Sequence, residues 1–228
     1  MKLRFVTRGS ALARQQTTSV IQALQKAFPE LEYSQTIIST HGDRNLSQAL
    51  PEIGGKGLFT QELEAEILAG GAEAAVHSLK DLPVDEPGEL IIGSIPERED
   101  PRDVLVSPRG YQINTLPRGA KIGTSSLRRA AQLRALRPDL EITSIRGNVD
   151  TRIRKAQEGE YDAIVLAAAG LTRLGKQEVI GEWLPFDIML PAPGQAALAV
   201  QCRKNDDEVR RILSAIEDLP TRRCVQAE

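Results

Sequence analysis

Histidine, cysteine and tryptophan are nearly missing from this sequence: two, two and one in 228 residues, with aromatics at 4%. His41 and His77 cannot combine with Cys202 and Cys224 into a zinc-type ligand set, because no C-x-x-C or paired-histidine spacing exists. No metal is expected, and two cysteines are too few for a disulfide framework. Long apolar runs are also missing; none approaches the ~20 residues of a membrane helix. The opening MKLRFVTRGS lacks the apolar core of an export signal and reads as a first strand. The expectation is a cytoplasmic protein without a membrane partner. Nor is there an excess of positive charge. Lys and Arg number 29 against 31 acids, a net charge of −2, which disfavours a general nucleic-acid binder.

What the chain does contain is one basic stretch, KIGTSSLRRAAQLRALRPDLEITSIRGNVDTRIRK, residues 121–155. It holds nine Lys or Arg against three acids. Residues 121–123 read as the end of a strand, and Thr124, Ser125 and Ser126 are each able to cap the helix that follows. Leu127, Ala130, Ala131, Leu133 and Leu136 recur at helical spacing. Arg128 and Arg129 then stand in a first turn, where backbone N–H groups are unpaired and the helix dipole favours an anion. The device repeats: a strand-like 141–145, Arg146-Gly-Asn148, and a helix bearing Arg152, Arg154 and Lys155. Two such turns suit one ligand with several carboxylates or phosphates. The alternative reading is a solvated basic face, and placement of the arginines at the turns rather than along the exposed middle of the helices favours the pocket.

Along the chain, residues 3–7 form a strand that stops at Arg8-Gly-Ser10, and Ser10 caps a helix over 11–28. Leu12, Val20, Ile21 and Leu24 supply its core face. Residues 31–39 make a second strand. A polar, Gly-rich section, 40–57, ends in Gly-Gly-Lys56-Gly, whose spacing is not that of a phosphate loop. A helix over 58–69 stops at Gly70-Gly71. Residues 72–76 form a buried strand from whose C-terminal end His77-Ser78-Leu-Lys80-Asp81 emerges, the end at which ligands bind in open α/β sheets. Pro83 places Lys80 and Asp81 on a turn. Strands follow at 90–95, 161–166 and 197–201, and helices at 167–174 and 206–217. The proline-bracketed segments 96–103 and 190–196 read as two crossings between domains. Domain 1 is then expected at residues 1–96 with 195–217, and domain 2 at 97–194. The fold class is α/β, two lobes with a cleft lined by Arg8, Ser10, Lys56, Lys80, Asp81 and the arginine cluster. No internal repeat is visible.

Eight motifs in order, VTRGSALARQQ, IGGKGLFTQELE, AAVHSLKDLP, EREDPRDV, IGTSSLRRAAQL, SIRGNVDTRI, AAAGLTRLG and LPAPGQAALAVQCR, resemble the porphobilinogen deaminases, also called hydroxymethylbilane synthases. The resemblance runs over essentially the whole sequence. It implies two α/β lobes like those of type II periplasmic binding proteins, and an enzyme that condenses four porphobilinogen molecules with release of ammonia. The product, hydroxymethylbilane, is built on a covalent dipyrromethane cofactor. The resemblance makes Asp81 the catalytic carboxylate, able to stabilise the methylene-pyrrole cation left when ammonia departs. It gives Arg8, Ser10, Lys80, Arg128, Arg129, Arg146, Arg152 and Arg173 to cofactor and substrate carboxylates, for which guanidinium is suited. Ser78, Thr124, Ser125, Ser126, Asn148 and Gln195 become the supporting polar shell, Phe59 an aromatic beside the pyrroles, and Lys56 part of a loop over the cleft. A monomer is implied, with porphobilinogen as its small-molecule partner.

Two departures follow. Glu52 stands where many members carry a lysine, so no basic role passes to it. Residues 218–228 resemble the start of a linker to the family's third domain, whose Gly-Gly-Cys turn carries the cofactor. Neither Cys202 nor Cys224 matches that attachment position. The third domain is expected to be absent or separately encoded, and the activity of this stretch alone stays open. The competing functional class is a non-catalytic two-lobed polycarboxylate-binding module; Asp81 favours the enzyme, since a binder needs only the arginines.

Overall fold

Hydrophobic alternation builds two five-stranded sheets in this computed structural model, which describes residues 1–40, 60–83 and 88–228. The chain divides into two compact units, Met1–Glu99 with Pro193–Glu228, and Asp100–Ala192.

In unit 1, β1 (Lys2–Arg8) pairs in parallel with β2 (Glu32–Ile38) and β3 (Ala74–Ser78). β10 (Leu198–Arg203) runs antiparallel between β3 and β4 (Leu90–Ser94), giving the order β2-β1-β3-β10-β4. Side chains alternate across a strand. Leu3 and Phe5 of β1 therefore meet Val20 and Leu24 of α1 (Ala11–Ala27) and Val209 and Ile212 of α6 (Asp207–Ser214). Val6 faces the other way, onto Leu63 and Ile67 of α2 (Gln61–Leu68).

Unit 2 repeats the arrangement without repeating the sequence. β6 (Lys121–Gly123) is parallel to β7 (Glu141–Thr143) and β8 (Ala163–Ala167). β5 (Asp103–Val106) is antiparallel to β8 and to β9 (Glu182–Trp183), so the order is β7-β6-β8-β5-β9. Leu105 and Val165 pack on one face with Leu133 of α3 (Leu127–Leu136), while Val104, Ile164 and Leu166 pack on the other with Ile153 of α4 (Val149–Gln157). α5 (Ala168–Arg173) begins directly after β8. In each sheet the antiparallel strand is the one that follows a crossing.

Several expectations change. Leu127 and Leu136, placed at core spacing, are 75% and 37% exposed; Ala130 and Leu133 carry that packing. Two strands, β5 and β9, went unread: β5 follows the charged crossing directly, and β9 is only two residues long. Residues 219–227 form a further helix, α7 (Leu219–Ala227), capped by Asp218. So short a helix is marginal in isolation; here Arg98 forks onto Glu228 at 2.6 and 3.1 Å, and Asp218 N–H donates to Ile95 O at 2.9 Å. The expected loop 40–57, the predicted helix start at residue 58, Glu52, Lys56 and Phe59 lie outside the described residues, apart from Thr40. Among the described residues no helix is long and apolar enough to cross a membrane, and no group of three or more His, Cys, Asp or Glu could hold a metal.

Candidate functional site

Parallel pairing brings the C-terminal ends of β1 and β3 to one edge of the first sheet, and the antiparallel β10 begins there. Arg8 ends β1 and Ser10 caps α1, its hydroxyl accepting from Ala13 N–H at 3.2 Å. Ser78 ends β3 and accepts from Gln16 Nε2 at 2.9 Å. Lys80 and Asp81, both exposed, occupy the short 3-10 turn Leu79–Asp81. Lys80 Nζ donates to Oε1 of the fully buried Gln195 at 3.2 Å. Gln195 sits between Gly194 (φ 65°) and Ala196 (φ 72°), a backbone bend that a non-glycine residue adopts at a cost. Behind this edge His77 is buried, bonded to Gln201 at 3.1 Å. Burial and the nearby Arg8 charge push its pKa down to about 4, against the opposing pull of Gln201.

The second sheet presents the same edge: the C-terminal ends of β6, β7 and β8, and the start of β5. Ser126 caps α3 and Asn148 caps α4, accepting from Arg129 N–H at 3.4 Å and Thr151 N–H at 2.9 Å. Thr124 Oγ1 accepts from Ser126 N–H at 3.2 Å. Ser125 ties the two turns together: its hydroxyl donates to Ile145 O at 2.5 Å, accepts from Ile145 N–H at 3.2 Å and lies 2.9 Å from Ser144 Oγ. Gly147 has φ 113° and no room for a Cβ against Thr151, so this tight turn requires glycine.

Arg128 and Arg129 converge on Asp103, the first residue of β5. Arg128 NH2 reaches Oδ2 at 2.7 Å and Arg129 NH2 reaches Oδ1 at 2.6 Å. Asp103 is fully buried; burial raises its pKa, but the two guanidiniums outweigh this and hold it below the ordinary range. Arg129 is itself buried and donates also to Val165 O at 3.1 Å. Arg128 donates to Leu190 O, and Gln132 holds the same residue, accepting from Leu190 N–H at 2.8 Å and donating to Leu190 O at 3.2 Å. Arg152 is different. It is half-buried and donates from Nε to Gly147 O at 2.8 Å, yet no carboxylate among the described residues pairs with it. Burial, then the like charges of Arg129 and Arg146, lower its pKa. Arg146 is half-buried in the second turn, and Arg173 half-buried at the end of α5.

Residues 3–211 match the family described as porphobilinogen deaminase, dipyromethane cofactor binding domain. The chain belongs to the porphobilinogen deaminase family. The porphobilinogen deaminase of Geobacillus kaustophilus is 53% identical over 223 residues, covering 97% of this chain and 72% of that protein. That of Moorella thermoacetica is 51% identical over 228 residues, covering 100% and 73%. The chain therefore spans roughly three quarters of these relatives' length, and its class is that of a transferase in tetrapyrrole biosynthesis. Among solved structures, the BvgS VFT2 domain of Bordetella pertussis aligns with TM-score 0.55 at 16% identity, covering 99% of this chain and 92% of that one. An arginine-specific periplasmic binding protein of Salmonella typhimurium gives 0.52 at 14%, covering 99% and 98%. These likenesses concern the fold alone, the two-lobed type II periplasmic-binding fold.

The deaminase cofactor, a dipyrromethane with several carboxylates, fits the chemistry of unit 2, where Arg152 is a half-buried cation that no carboxylate among the described residues pairs with. Cys202 does not fit its attachment: the thiol is fully buried against Gly93, and burial raises its pKa to about 11. Asp103 and Gln132 were not among the residues singled out from sequence. The one available signal for Asp103 was an acid opening the apolar run DVLV; nothing local marks Gln132.

Proposed function

We propose that this chain binds the carboxylates of pyrrole substrates and of the dipyrromethane on the two arginine-bearing turns of unit 2. We further propose that Asp81 of unit 1 assists deamination of porphobilinogen on the way to hydroxymethylbilane. The observation that carries the reading is Arg152: a cation drawn out of water, beside Arg129 and Arg146, with no carboxylate among the described residues to balance it. Such a charge is costly unless a ligand anion completes it. Arg128, Arg146 and Arg152 are the carboxylate holders; Thr124, Ser125, Ser126 and Asn148 brace the turns that present them.

When bound, the dipyrromethane supplies the primer to which substrate pyrroles are joined. This chain's residues orient carboxylates and stabilise charge. Porphobilinogen loses ammonia from its aminomethyl carbon, leaving a cationic methylene-pyrrole, and the exposed Asp81 carboxylate is suited to that charge. Arg8, Ser10, Lys80 and Gln195 stand at the same sheet edge of unit 1.

Calorimetric titration of porphobilinogen into the chain tests the binding part. Arg152→Leu should weaken it by about 1.5–3 kcal/mol, the range for hydrogen bonds to a charged group, with the fold retained. Equal affinity in the two proteins would remove Arg152 from the site. In cofactor-loaded enzyme, Asp81→Asn should lower ammonia release at least ~100-fold while affinity changes little. A near-normal rate would make Asp81 a turn residue only.

A further inference from the structure

Four guanidiniums stand at the strand ends of unit 2, and one carboxylate, Asp103, is built in among them from inside the sheet. It is fully buried, opens β5, and places one oxygen on each of Arg128 and Arg129, at 2.7 and 2.6 Å. No family role was read for it from sequence, and its distance along the chain hides the pairing.

Resting on the polycarboxylate reading above, we infer that Asp103 is a positioning and selectivity residue: it occupies the inner side of Arg128 and Arg129, orients them, and keeps compact inorganic anions from taking the cluster.

The geometry supports this in three ways. Arg129 is spent on Asp103 and Val165 O and buries its Nε without a hydrogen-bond partner, so it has little left to offer a ligand. Arg128 uses one terminal nitrogen on Asp103 and the other on Leu190 O, which holds its plane from two sides. Its Nε–H and the second hydrogen on each terminal nitrogen have no protein partner among the described residues, and its side chain is 24% exposed. A guanidinium carries five donors in a rigid fork, so anchoring two of them dictates where the other three point. Third, charge decides selectivity. With Asp103 ionised, two of the cations are partly neutralised, and a small anion gains less from the cluster. A ligand with carboxylates spaced to meet Arg128, Arg146 and Arg152 together loses little, because it is held by geometry at several points.

Asp103→Asn separates positioning from ordinary structural support. Porphobilinogen and inorganic phosphate are titrated separately into the wild-type chain and the variant, with circular dichroism as the check on folding. The expected result is opposite signs: porphobilinogen affinity falls about tenfold or more, while phosphate affinity rises at least about threefold. Both affinities falling together would reduce Asp103 to a structural ion pair and overturn the inference, as would no change in either. A wild-type chain indifferent to porphobilinogen would instead defeat the polycarboxylate reading, and the phosphate comparison alone would then decide Asp103. Should Asp103→Asn fail to fold, Asp103→Asn/Arg129→Gln removes the buried charge with its partner and leaves the net charge unchanged. Porphobilinogen must then weaken and phosphate stay level; unaltered porphobilinogen binding overturns the proposal.

Discussion

His77 is held neutral where an unfolded chain would take up a proton. Burial, and after it the Arg8 charge, lowers its pKa from 6.5 to about 4, so between those values the unfolded state binds more protons than the native state. Stability is then fully present above about pH 6.5 and is lost as pH falls toward 4. A displacement of this size is worth about 2–3 kcal/mol at pH 4.5. His77→Gln, which puts an uncharged amide beside Gln201, should flatten that part of the profile; denaturant midpoints at pH 7 and 4.5 for both proteins read it directly. Ala196 is a second site of residue-scale cost. Its φ of 72° lies where a Cβ crowds the following carbonyl, beside the buried Gln195 that receives Lys80. Ala196→Gly should raise the unfolding free energy by about 0.5–1 kcal/mol, and Ala196→Val should lower it by more. A melting temperature indifferent to both would mean that the bend stores no strain.

Helix α3 shows what an element can and cannot reveal in sequence. Its start was legible, because Ser126 before Leu127 is a capping residue and the structure uses it as one. The likewise local signal of Ser10 places α1. The fate of Arg128 and Arg129 was not legible. Their partner Asp103 lies some 25 residues earlier, on a strand that antiparallel pairing with β8 carries to the same edge. Periodicity reports which face of an element is buried, not which charge waits on another element. Even the face is reported imperfectly: Leu127, at helical spacing with Ala130 and Leu133, stands 75% exposed in the first turn of α3. The energetic consequence is a contrast within one basic stretch. Arg129→Met removes one partner of a fully buried carboxylate and should cost about 3 kcal/mol, the low end of the range because Arg128 remains. Arg154→Met breaks a pair with Glu158 whose side chains are 60% and 49% exposed, and should cost no more than about 0.5 kcal/mol. Equal losses in urea denaturation would contradict the buried role of Asp103.

At the scale of the whole molecule, connectivity decides what can fold alone. Unit 2 is a single continuous stretch, Asp100–Ala192, and its sheet β7-β6-β8-β5-β9 draws every strand from within it. Both of its hydrophobic clusters are internal as well. Unit 1 is discontinuous, and its late segment does more than extend an edge: β10 lies inside the sheet, joining β3 to β4. Residues 1–99 alone would leave β3 and β4 without their shared neighbour, exposing backbone donors and acceptors that β10 satisfies. They would also lose Val200, Cys202, Val209 and Ile212 from the core. The excised stretch 100–192 should therefore fold as a cooperative domain, with dispersed amide signals and a single denaturant transition. The stretch 1–99 should not, until 193–228 is joined to it through a short linker. If 1–99 alone proved as cooperative as 100–192, β10 would be an accessory strand that the fold of unit 1 does not need.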